Sequence, residues 1–298
     1  MTGTGSDMPL EFNRRVFLAR AAAAGMAGAA LGTRELAESG ESSRLVRSSL
    51  EYGLDFTNTQ ESLVGDLLHG QRGDPQRQSE VPFHEWYAAW VRHRYGAWGP
   101  PVRSYAALED LEARPLQWKR ERVIATAARF IGYEYQHHHV PDWNPPANWP
   151  WKSCCAGHNG RGFDCSNFTS FVYNQGFGIR MSSAVGHQGE ARTARFEALH
   201  VPVHRVELPA PYVARREALR TGDLLFIRGR EGGHVTHVVL WVGSIGRTPN
   251  HEPLVLDSHG SGVVGEDGRP IPCGVHLRPF REDSWYNRCA SHAHRIFH

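Results

Sequence analysis

The hydrophobic pattern changes along the chain, from helical spacing in the middle to short apolar runs near the C-terminus. The stretch "WKRERVIATAARFIGYEY", which begins at Trp118, places its apolar residues on one helical face, and Gly132 follows as a helix-ending signal. The later stretches "DLLFIRG", "HVTHVVLWVG" and "EPLVLDSHG" are short and β-branched, and Gly or Pro bounds each one. This order predicts an α+β fold in which an antiparallel sheet packs against a helix at 165–176.

The same pattern divides the chain into segments. Residues 33–49 are polar and linker-like, and residues 50–117 carry aromatic positions at helical spacing, which predicts a small helical N-terminal extension. Residues 118–298 hold the helix and the strands described above. They are therefore predicted to form the main domain.

Residues 1–32 have the composition of an export signal. Arg14 and Arg15 stand just before Phe17 and Leu18, and a tract of small residues follows that is too short and too weakly apolar to span a bilayer. This resembles a twin-arginine signal peptide. The resemblance implies export to the periplasm, cell wall or medium, with no stable membrane anchor after cleavage. The alternative is a disordered basic tail or a short core helix.

Composition narrows the possible partners. The chain has 298 residues, of which 40% are apolar, and nine tryptophans, so it is able to bury a substantial core. Its formal net charge is +2 and its basic residues are scattered. Nucleic acid is therefore excluded as a partner, because the basic patch that binds phosphates is missing.

The expected chemical state of the five cysteines depends on whether the protein is exported. In an oxidising compartment Cys154, Cys155, Cys273 and Cys289 can form one or two disulfides, which leaves Cys165 as the odd thiol. We expect a bridge from Cys154 or Cys155 to Cys273 or Cys289. Such a bridge would pin the Pro- and Trp-rich loop before Cys165.

That loop also contains side chains that are able to bind metal. They are His137, His138, His139, Cys154, Cys155 and His158. A structural zinc site normally shows two separate ligand pairs, and vicinal cysteines are awkward tetrahedral ligands. We therefore predict no metal site, and no motif in the chain calls for a cofactor.

Cys165 stands where a helix is expected to begin. Asp164 is a favoured N-cap residue, so Cys165 would lie on the first turn, where free backbone N–H groups and the helix dipole stabilise a thiolate. The same N–H groups are able to bind an oxyanion. A half-buried structural thiol is the alternative interpretation of a single cysteine at this position.

A thiolate nucleophile needs a nearby base, and the strand "HVTHVVLWVG" offers two histidines. His237 lies within the apolar run, whereas His234 follows two glycines, so His237 is the better candidate. On the next strand Asp257 and His259 share one face, and either could orient the imidazole of His237. The residues alone leave that choice open.

Five segments in order resemble one family. They are "IGYEY", "FDCSNFTSFVYNQGFGI", "TGDLLFI", "THVVLWVG" and "VLDSHG". Together they resemble the NlpC-type cell-wall cysteine peptidases, which are papain-like enzymes whose pattern runs Gly-x-Pro-Tyr, Asp-Cys-Ser-Gly-Phe, Gly-Asp-Leu, His-Val-Gly-Ile-Tyr-x-Gly and a third polar residue on the next strand. The resemblance covers roughly residues 118–298.

The resemblance implies roles for individual residues. Cys165 corresponds to the nucleophile, His237 to the base, Asp257 to the preferred third residue and Tyr135 to a tyrosine near the active site. Substrate-binding positions are implied as well, at Gln188 and Ser166.

Two departures from the family pattern bear on the substrate. Asn167 replaces the usual glycine, and Glu134 replaces the proline before the tyrosine. Both changes leave the thiol and its base in place, so they affect the expected substrate more than the expected chemistry.

The resemblance also implies an activity. It predicts hydrolysis of peptidoglycan stem peptides at the bond between D-γ-glutamate and a diamino acid, with peptidoglycan or a muropeptide as the partner. The alternatives are an amidase or acyltransferase on the same fold, and a non-catalytic wall-binding protein.

Overall fold

The computed structural model describes residues 52–144, 161–191, 201–260, 263–265 and 268–298. The proposed signal and linker, residues 1–32 and 33–49, lie outside the described residues, as do Cys154, Cys155 and His158. Within the described ranges no helix is both long enough and apolar enough to cross a membrane.

The helices occur mainly in the first half of the described chain. In chain order they are α1 (Gln60–Leu68), α2 (Ala89–Tyr95), α3 (Leu116–Ala128), α4 (Cys165–Phe177), α5 (Val185–Glu190), α6 (Tyr212–Ala218) and α7 (Trp285–Arg288). The sequence predicts α3 and α4 within a few residues. Gly132 has a φ of 93° but lies in the turn after α3, because the helix already ends at Ala128.

The strands form one main sheet with two small pairs beside it. They are β1 (Glu134–Tyr135), β2 (Gly162–Phe163), β3 (His204–Glu207), β4 (Leu224–Arg228), β5 (Val235–Trp241), β6 (Leu254–His259), β7 (Val263–Val264), β8 (Pro270–Ile271), β9 (Gly274–Pro279) and β10 (Ala290–Arg295). The main sheet has the order β3-β10-β4-β5-β6-β9, and every neighbouring pair is antiparallel. The predicted α+β fold, with a helix packed on an antiparallel sheet, is confirmed.

The sheet buries apolar side chains on both faces. One face packs against α3 and α4 and contributes Leu224, Phe226, Val238, Leu240, Leu254 and Leu256 to the larger core. The opposite face contributes Leu225, Ile227, Val239, Trp241 and Val255 to a second core that includes Tyr286. Because the alternate residues of each strand point to opposite faces, β4, β5 and β6 are buried on both sides.

The N-terminal extension shares the larger core. Tyr52, Leu54 and Leu63 are at most 3% exposed and belong to the same hydrophobic cluster as Phe171 of α4. The Arg122 guanidinium of α3 is 2.6 Å from the Asp66 carboxylate of α1. A domain boundary between residues 117 and 118 stays a prediction.

Glu121 of α3 joins the extension to the main domain. One carboxylate oxygen accepts hydrogen bonds from the backbone N–H and hydroxyl of Thr57 at 3.1 and 2.7 Å, and the other accepts from the backbone and side chain of Asn58 at 3.0 and 2.9 Å. Burial raises the pKa of Glu121, but the hydrogen bonds from Thr57, Asn58 and Gln117 outweigh burial and lower it below its usual value. The carboxylate form therefore holds the chain that leads into α1.

We expect the change Glu121→Gln to lower the free energy of unfolding by about 2 kcal/mol at neutral pH, because an amide N–H₂ would face donors that now meet a carboxylate oxygen. Since the pKa of Glu121 is lowered on folding, its contribution is present above the unfolded value of 4.5 and is lost as the pH falls below it. Urea unfolding at neutral and acidic pH measures both effects. The exposed Glu112→Gln is the control, and an equal loss in both variants would contradict the assignment.

Candidate active site

Cys165 is the first residue of α4, and its neighbours hold the helix start in place. Asp164 is the N-cap, and its two carboxylate oxygens accept hydrogen bonds from the backbone N–H of Asn167 at 2.8 Å and from its Nδ2 at 2.7 Å. Cys165 is 5% exposed. It therefore lies at the positive end of the helix dipole, where a thiolate is stabilised.

The strand before α4 positions this helix start against the sheet. The carbonyl oxygen of Phe163 accepts a hydrogen bond from the Ser258 hydroxyl of β6 at 2.6 Å. β2 also pairs in parallel with β1, with Tyr135 opposite Phe163. This pairing requires glycine at position 162, because a Cβ there would lie 2.2 Å from the Glu134 carbonyl oxygen. Cys165 is thereby fixed beside Tyr135 and the end of β6.

His237 of β5 joins Cys165 to Asp257 of β6. Its Nε2 lies 2.8 Å from Asp257 Oδ2, and its ring lies beside the Cys165 thiol. Burial lowers the pKa of His237, but the negative charge of Cys165 and the hydrogen bonds to both partners raise it to about 10. The arrangement is a line of thiol, imidazole and carboxylate in which an imidazolium is stabilised.

Asp257 is a completely buried carboxylate with three side-chain donors. Oδ1 accepts from Arg278 Nε at 2.7 Å, and Oδ2 accepts from His237 and from the Tyr286 hydroxyl at 2.9 Å. Burial raises the pKa of Asp257, but the positive charge of Arg278 and the hydrogen bond from His237 hold it well below its usual range. Asp257 is therefore ionised where it meets the imidazole.

His259 occupies a different position from Asp257. Its ring centroid lies 5.0 Å from that of His237 in an edge-to-face arrangement and 5.7 Å from that of Trp285. Of the two candidates that the sequence left open, the structure places Asp257 on the ring nitrogen of His237 and His259 against the side of the ring. A catalytic role for either residue stays a prediction.

Tyr135 is half-buried beside the helix start. Burial raises the pKa of its hydroxyl, and the negative charges of Cys165, Asp164 and Asp257 raise it further. The hydroxyl therefore keeps its proton and is available as a hydrogen-bond donor.

Gln188 and Ser166 have partners inside the fold. Gln188 is 2% exposed, donates to the Ser182 carbonyl at 3.0 Å and lies 3.1 Å from the Thr169 hydroxyl. Ser166 is 4% exposed and donates to the Ser183 carbonyl at 2.6 Å. Gln188 thus joins α5 to α4, and substrate contact by Gln188 or Ser166 stays a prediction.

The histidines of the loop before Cys165 have separate partners. Nδ1 of His137 lies 3.7 Å from the Asp164 carboxylate, and Nδ1 of His139 lies 3.2 Å from Asn167 Oδ1. Nε2 of the buried His138 lies 2.5 Å from Gln136 Oε1. Among the described residues no three His, Cys, Asp or Glu side chains are grouped so that they could hold a metal ion.

The expected disulfide is not formed in the structure. Cys273 and Cys289 are both free thiols, as is Cys165. Cys273 is exposed and lies 3.5 Å from the Gly260 carbonyl oxygen, whereas Cys289 is buried in the core that contains Tyr286. The two thiols thus lie in different surroundings, and the expectation of a bridge to either one is corrected.

Sequence reasoning missed two polar residues of this site, Arg278 and Tyr286, and it did not predict the contact between Asn167 and His139. Arg278 lies on β9, where His276 is the direct partner of Asp257, so Arg278 reaches the carboxylate diagonally across the strand pair. The strand register would have revealed this contact, but the local pattern around "HLRPF" does not. Tyr286 comes from a helix far along the chain and gave no local signal.

The candidate site lies largely within the residue range that one protein-family model matches. The model of the NlpC/P60 family matches residues 154–268, a range that contains Cys165, His237 and Asp257 but neither Arg278 nor Tyr286. No curated protein matches the chain.

Several solved structures are also similar to the chain. An NlpC/P60 family protein from Bacillus cereus is 20% identical over 60% of this chain, with a TM-score of 0.36, and the chain spans 40% of its length. The peptidoglycan hydrolase RipB from Mycobacterium tuberculosis is 21% identical, with a TM-score of 0.37 and coverage of 65% and 74% of the two chains. The NlpC/p60 domain of the peptidoglycan hydrolase SagA is 21% identical, with a TM-score of 0.32 and coverage of 58% and 96%.

Substitutions at Asp257 and His259 distinguish the two candidate third residues. We expect Asp257→Asn to lower kcat at least about 100-fold, because the imidazole loses its charged partner. The same change should lower the free energy of unfolding by about 3 kcal/mol, because it leaves Arg278 buried without a counter-charge. His259→Gln should lower kcat less than about tenfold, since its ring packs edge-to-face on His237 while Asp257 holds the ring nitrogen. Kinetics normalised to the folded fraction give both values, and a larger loss at His259 would contradict the geometry.

The raised pKa of His237 predicts a particular pH profile. The leaving group needs the proton of the imidazolium, so kcat/KM should fall on the alkaline side with an apparent pKa near 10. This apparent pKa belongs to the coupled pair of Cys165 and His237. The group also contributes stability that is complete below its unfolded value of 6.5 and is lost as the pH rises through about 10. Unfolding of the protein and of His237→Gln across this window measures that loss. A fall of kcat/KM that begins near neutral pH would contradict the raised pKa of His237.

Proposed function

We propose that this protein is an exported cysteine hydrolase that cuts stem peptides of peptidoglycan at the bond between D-γ-glutamate and a diamino acid. The observation that carries the proposal is the buried line from Cys165 through His237 to Asp257, with the nucleophile at a helix start. The NlpC/P60 match supports it, because residues 154–268 contain all three side chains.

The chemistry follows from these three groups. The Cys165 thiolate attacks the carbonyl carbon and forms a C–S bond, and the electron pair of the C=O bond moves to oxygen. When the intermediate collapses, the C–N bond breaks and the leaving amine takes the proton from His237. Water then attacks the thioester, gives a proton to His237, and the C–S bond breaks to restore the thiolate.

The oxyanion of each intermediate needs donors, and two kinds are present. The backbone N–H groups of the first turn of α4 point toward its N-terminus, where Cys165 lies. The protonated hydroxyl of Tyr135 lies beside the same thiol. We assign these groups to the carbonyl oxygen and assign Asp257 to the orientation of His237.

The substrate and the location rest on different support from the chemistry. The bond follows from the resemblance of the five sequence segments to the NlpC-type peptidases. The similarity of two neighbours that are themselves called peptidoglycan hydrolases agrees with a cell-wall substrate. Export by the twin-arginine route, to the periplasm, cell wall or medium, follows from Arg14 and Arg15 before Phe17 and Leu18.

A muropeptide digest tests the reaction and the bond together. We expect the purified protein to produce fragments that end in γ-glutamate, and we expect Cys165→Ala to produce none, because no other nucleophile is assigned. Mass spectrometry of the products identifies the bond. Cys273→Ala is the matched control, since it removes an exposed thiol and should leave the fragments unchanged.

Alkylation of the thiols separates the two alternatives. If the protein cuts no muropeptide but iodoacetamide modifies Cys165 faster than Cys273, the site is active toward another amide or acyl substrate. If Cys165 is inert as well, the hydrolase proposal fails and a binding function takes its place.

A further inference from the structure

A second pocket lies between α6 and the C-terminal end of β5, outside the candidate active site. It has a volume of about 350 Å³, and its walls include Arg216, Glu217, Arg220, Thr221, Trp241 and Arg247. Trp241 and His237 both belong to β5, but four residues separate them, which is about 13 Å along a strand. We call this cavity the arginine pocket, and the groups that it holds lie away from the imidazole.

The backbone around the arginine pocket is held in one arrangement. The Thr221 hydroxyl donates to the Val242 carbonyl at 3.0 Å, and the backbone N–H of Gly222 donates to the Trp241 carbonyl at 2.9 Å. Gly243 has a φ of 72°, and a Cβ there would lie 2.2 Å from the Thr221 oxygen. The turn before β4 is therefore packed closely on the turn after β5, so the pocket is built into the fold.

The lining of the arginine pocket carries an excess of positive charge. Three arginines, Arg216, Arg220 and Arg247, face one acidic residue, Glu217, which gives the lining a formal charge of +2. Among the described side chains, none of these three arginines forms an ion pair with a carboxylate. Burial lowers the pKa of Arg247, and the positive charge of Arg216 lowers it further. The two guanidinium groups are thus close enough to repel each other.

Neutral groups orient two of these arginines. The Arg220 guanidinium donates to the backbone carbonyl oxygens of Glu217 and Leu219. The Arg216 guanidinium lies over the ring of Tyr212, 5.2 Å from its centroid. These contacts hold the side chains in place but leave their charges uncompensated.

The acidic residues near the pocket already have partners or stand apart from it. Both carboxylate oxygens of Glu252 accept from Arg281, at 3.0 and 3.2 Å, and Asp223 accepts from Arg295 at 2.7 Å. Glu282 is close enough to raise the pKa of Tyr212, but it does not line the pocket. The excess positive charge of the lining therefore calls for an anion from outside the chain.

The number and kind of donors favour a phosphate group. A guanidinium donates two parallel hydrogen bonds to one carboxylate or phosphate, and a carboxylate has too few oxygens for three guanidinium groups. A phosphomonoester offers three terminal oxygens and close to two negative charges at neutral pH, which match the formal charge of the lining. Val213 lies on the rim and is 59% exposed, so it offers apolar surface to the organic part of an ester.

We propose that the arginine pocket binds the phosphate group of a small phosphomonoester, with Arg216 and Arg247 as its main ligands. A volume of about 350 Å³ is near the lower end of the range for small-molecule sites, which fits a ligand of this size. The proposal is independent of the hydrolase function, and it assigns to the pocket a binding role and no chemical step.

Isothermal titration calorimetry with glycerol 1-phosphate and with its methyl diester tests the proposal, at constant ionic strength and about pH 7.5, where the monoester is doubly charged. We expect the purified protein to bind the monoester at least about fivefold more tightly than the singly charged diester. Arg247→Gln and Arg216→Gln should each weaken monoester binding at least about fivefold, because each removes a charged donor. Glu217→Gln should strengthen it about twofold, because the one carboxylate of the lining is lost.

Arg230→Gln is the matched control, since Arg230 is also exposed but does not line the pocket, and this variant should bind the monoester as the wild type does. Arg216 is half-buried whereas Arg247 is exposed, so Arg247→Gln keeps the test decisive if Arg216→Gln fails to fold. Binding of neither ester, equal affinity for both esters, or an equal loss in Arg247→Gln and Arg230→Gln would overturn the proposal. None of these results bears on muropeptide cleavage, which the digest with Cys165→Ala decides separately.

Discussion

The packing of the sheet around the candidate site depends on one buried charge, the carboxylate of Asp257. Asp257 is 0% exposed, and a carboxylate so far from water must be compensated by nearby donors and positive charge. The compensation comes from β5, β9 and α7 through His237, Arg278 and Tyr286. The same contacts that keep Asp257 ionised therefore also hold these elements together, so the orientation of the imidazole and the stability of this part of the fold have one cause.

A second carboxylate, that of Asp164, holds the start of α4 in place. Asp164 accepts two hydrogen bonds from Asn167, and the amide oxygen of Asn167 lies within hydrogen-bonding distance of His139, whose ring stacks on Trp98 at 5.6 Å. A glycine at position 167 would provide only the backbone N–H. The departure from the family pattern thus adds a side-chain bond that connects the helix start to the N-terminal extension.

The sequence predicted the features that depend on interactions between residues close together in the chain. The N-cap Asp164 and the strand around His237 are set by neighbouring residues, so α4, β5 and the place of Cys165 at the helix start could be predicted from the chain. The choice between Asp257 and His259 could not, because both share one face of β6 and only the register with β9 brings Arg278 to Asp257. The burial of Gln188 could not be predicted either, because its partners Thr169 and Ser182 become its neighbours only when α5 packs on α4.

The rings around His237 both shield the imidazole from water and shape the pocket beside it. His259, Trp285 and Tyr286 surround the imidazole and exclude water from its bond with Asp257, which strengthens that bond in a low dielectric. His259 and Trp285 also line a pocket of about 610 Å³ beside His237. A change in either ring would therefore alter the environment of the imidazole together with the shape of the pocket.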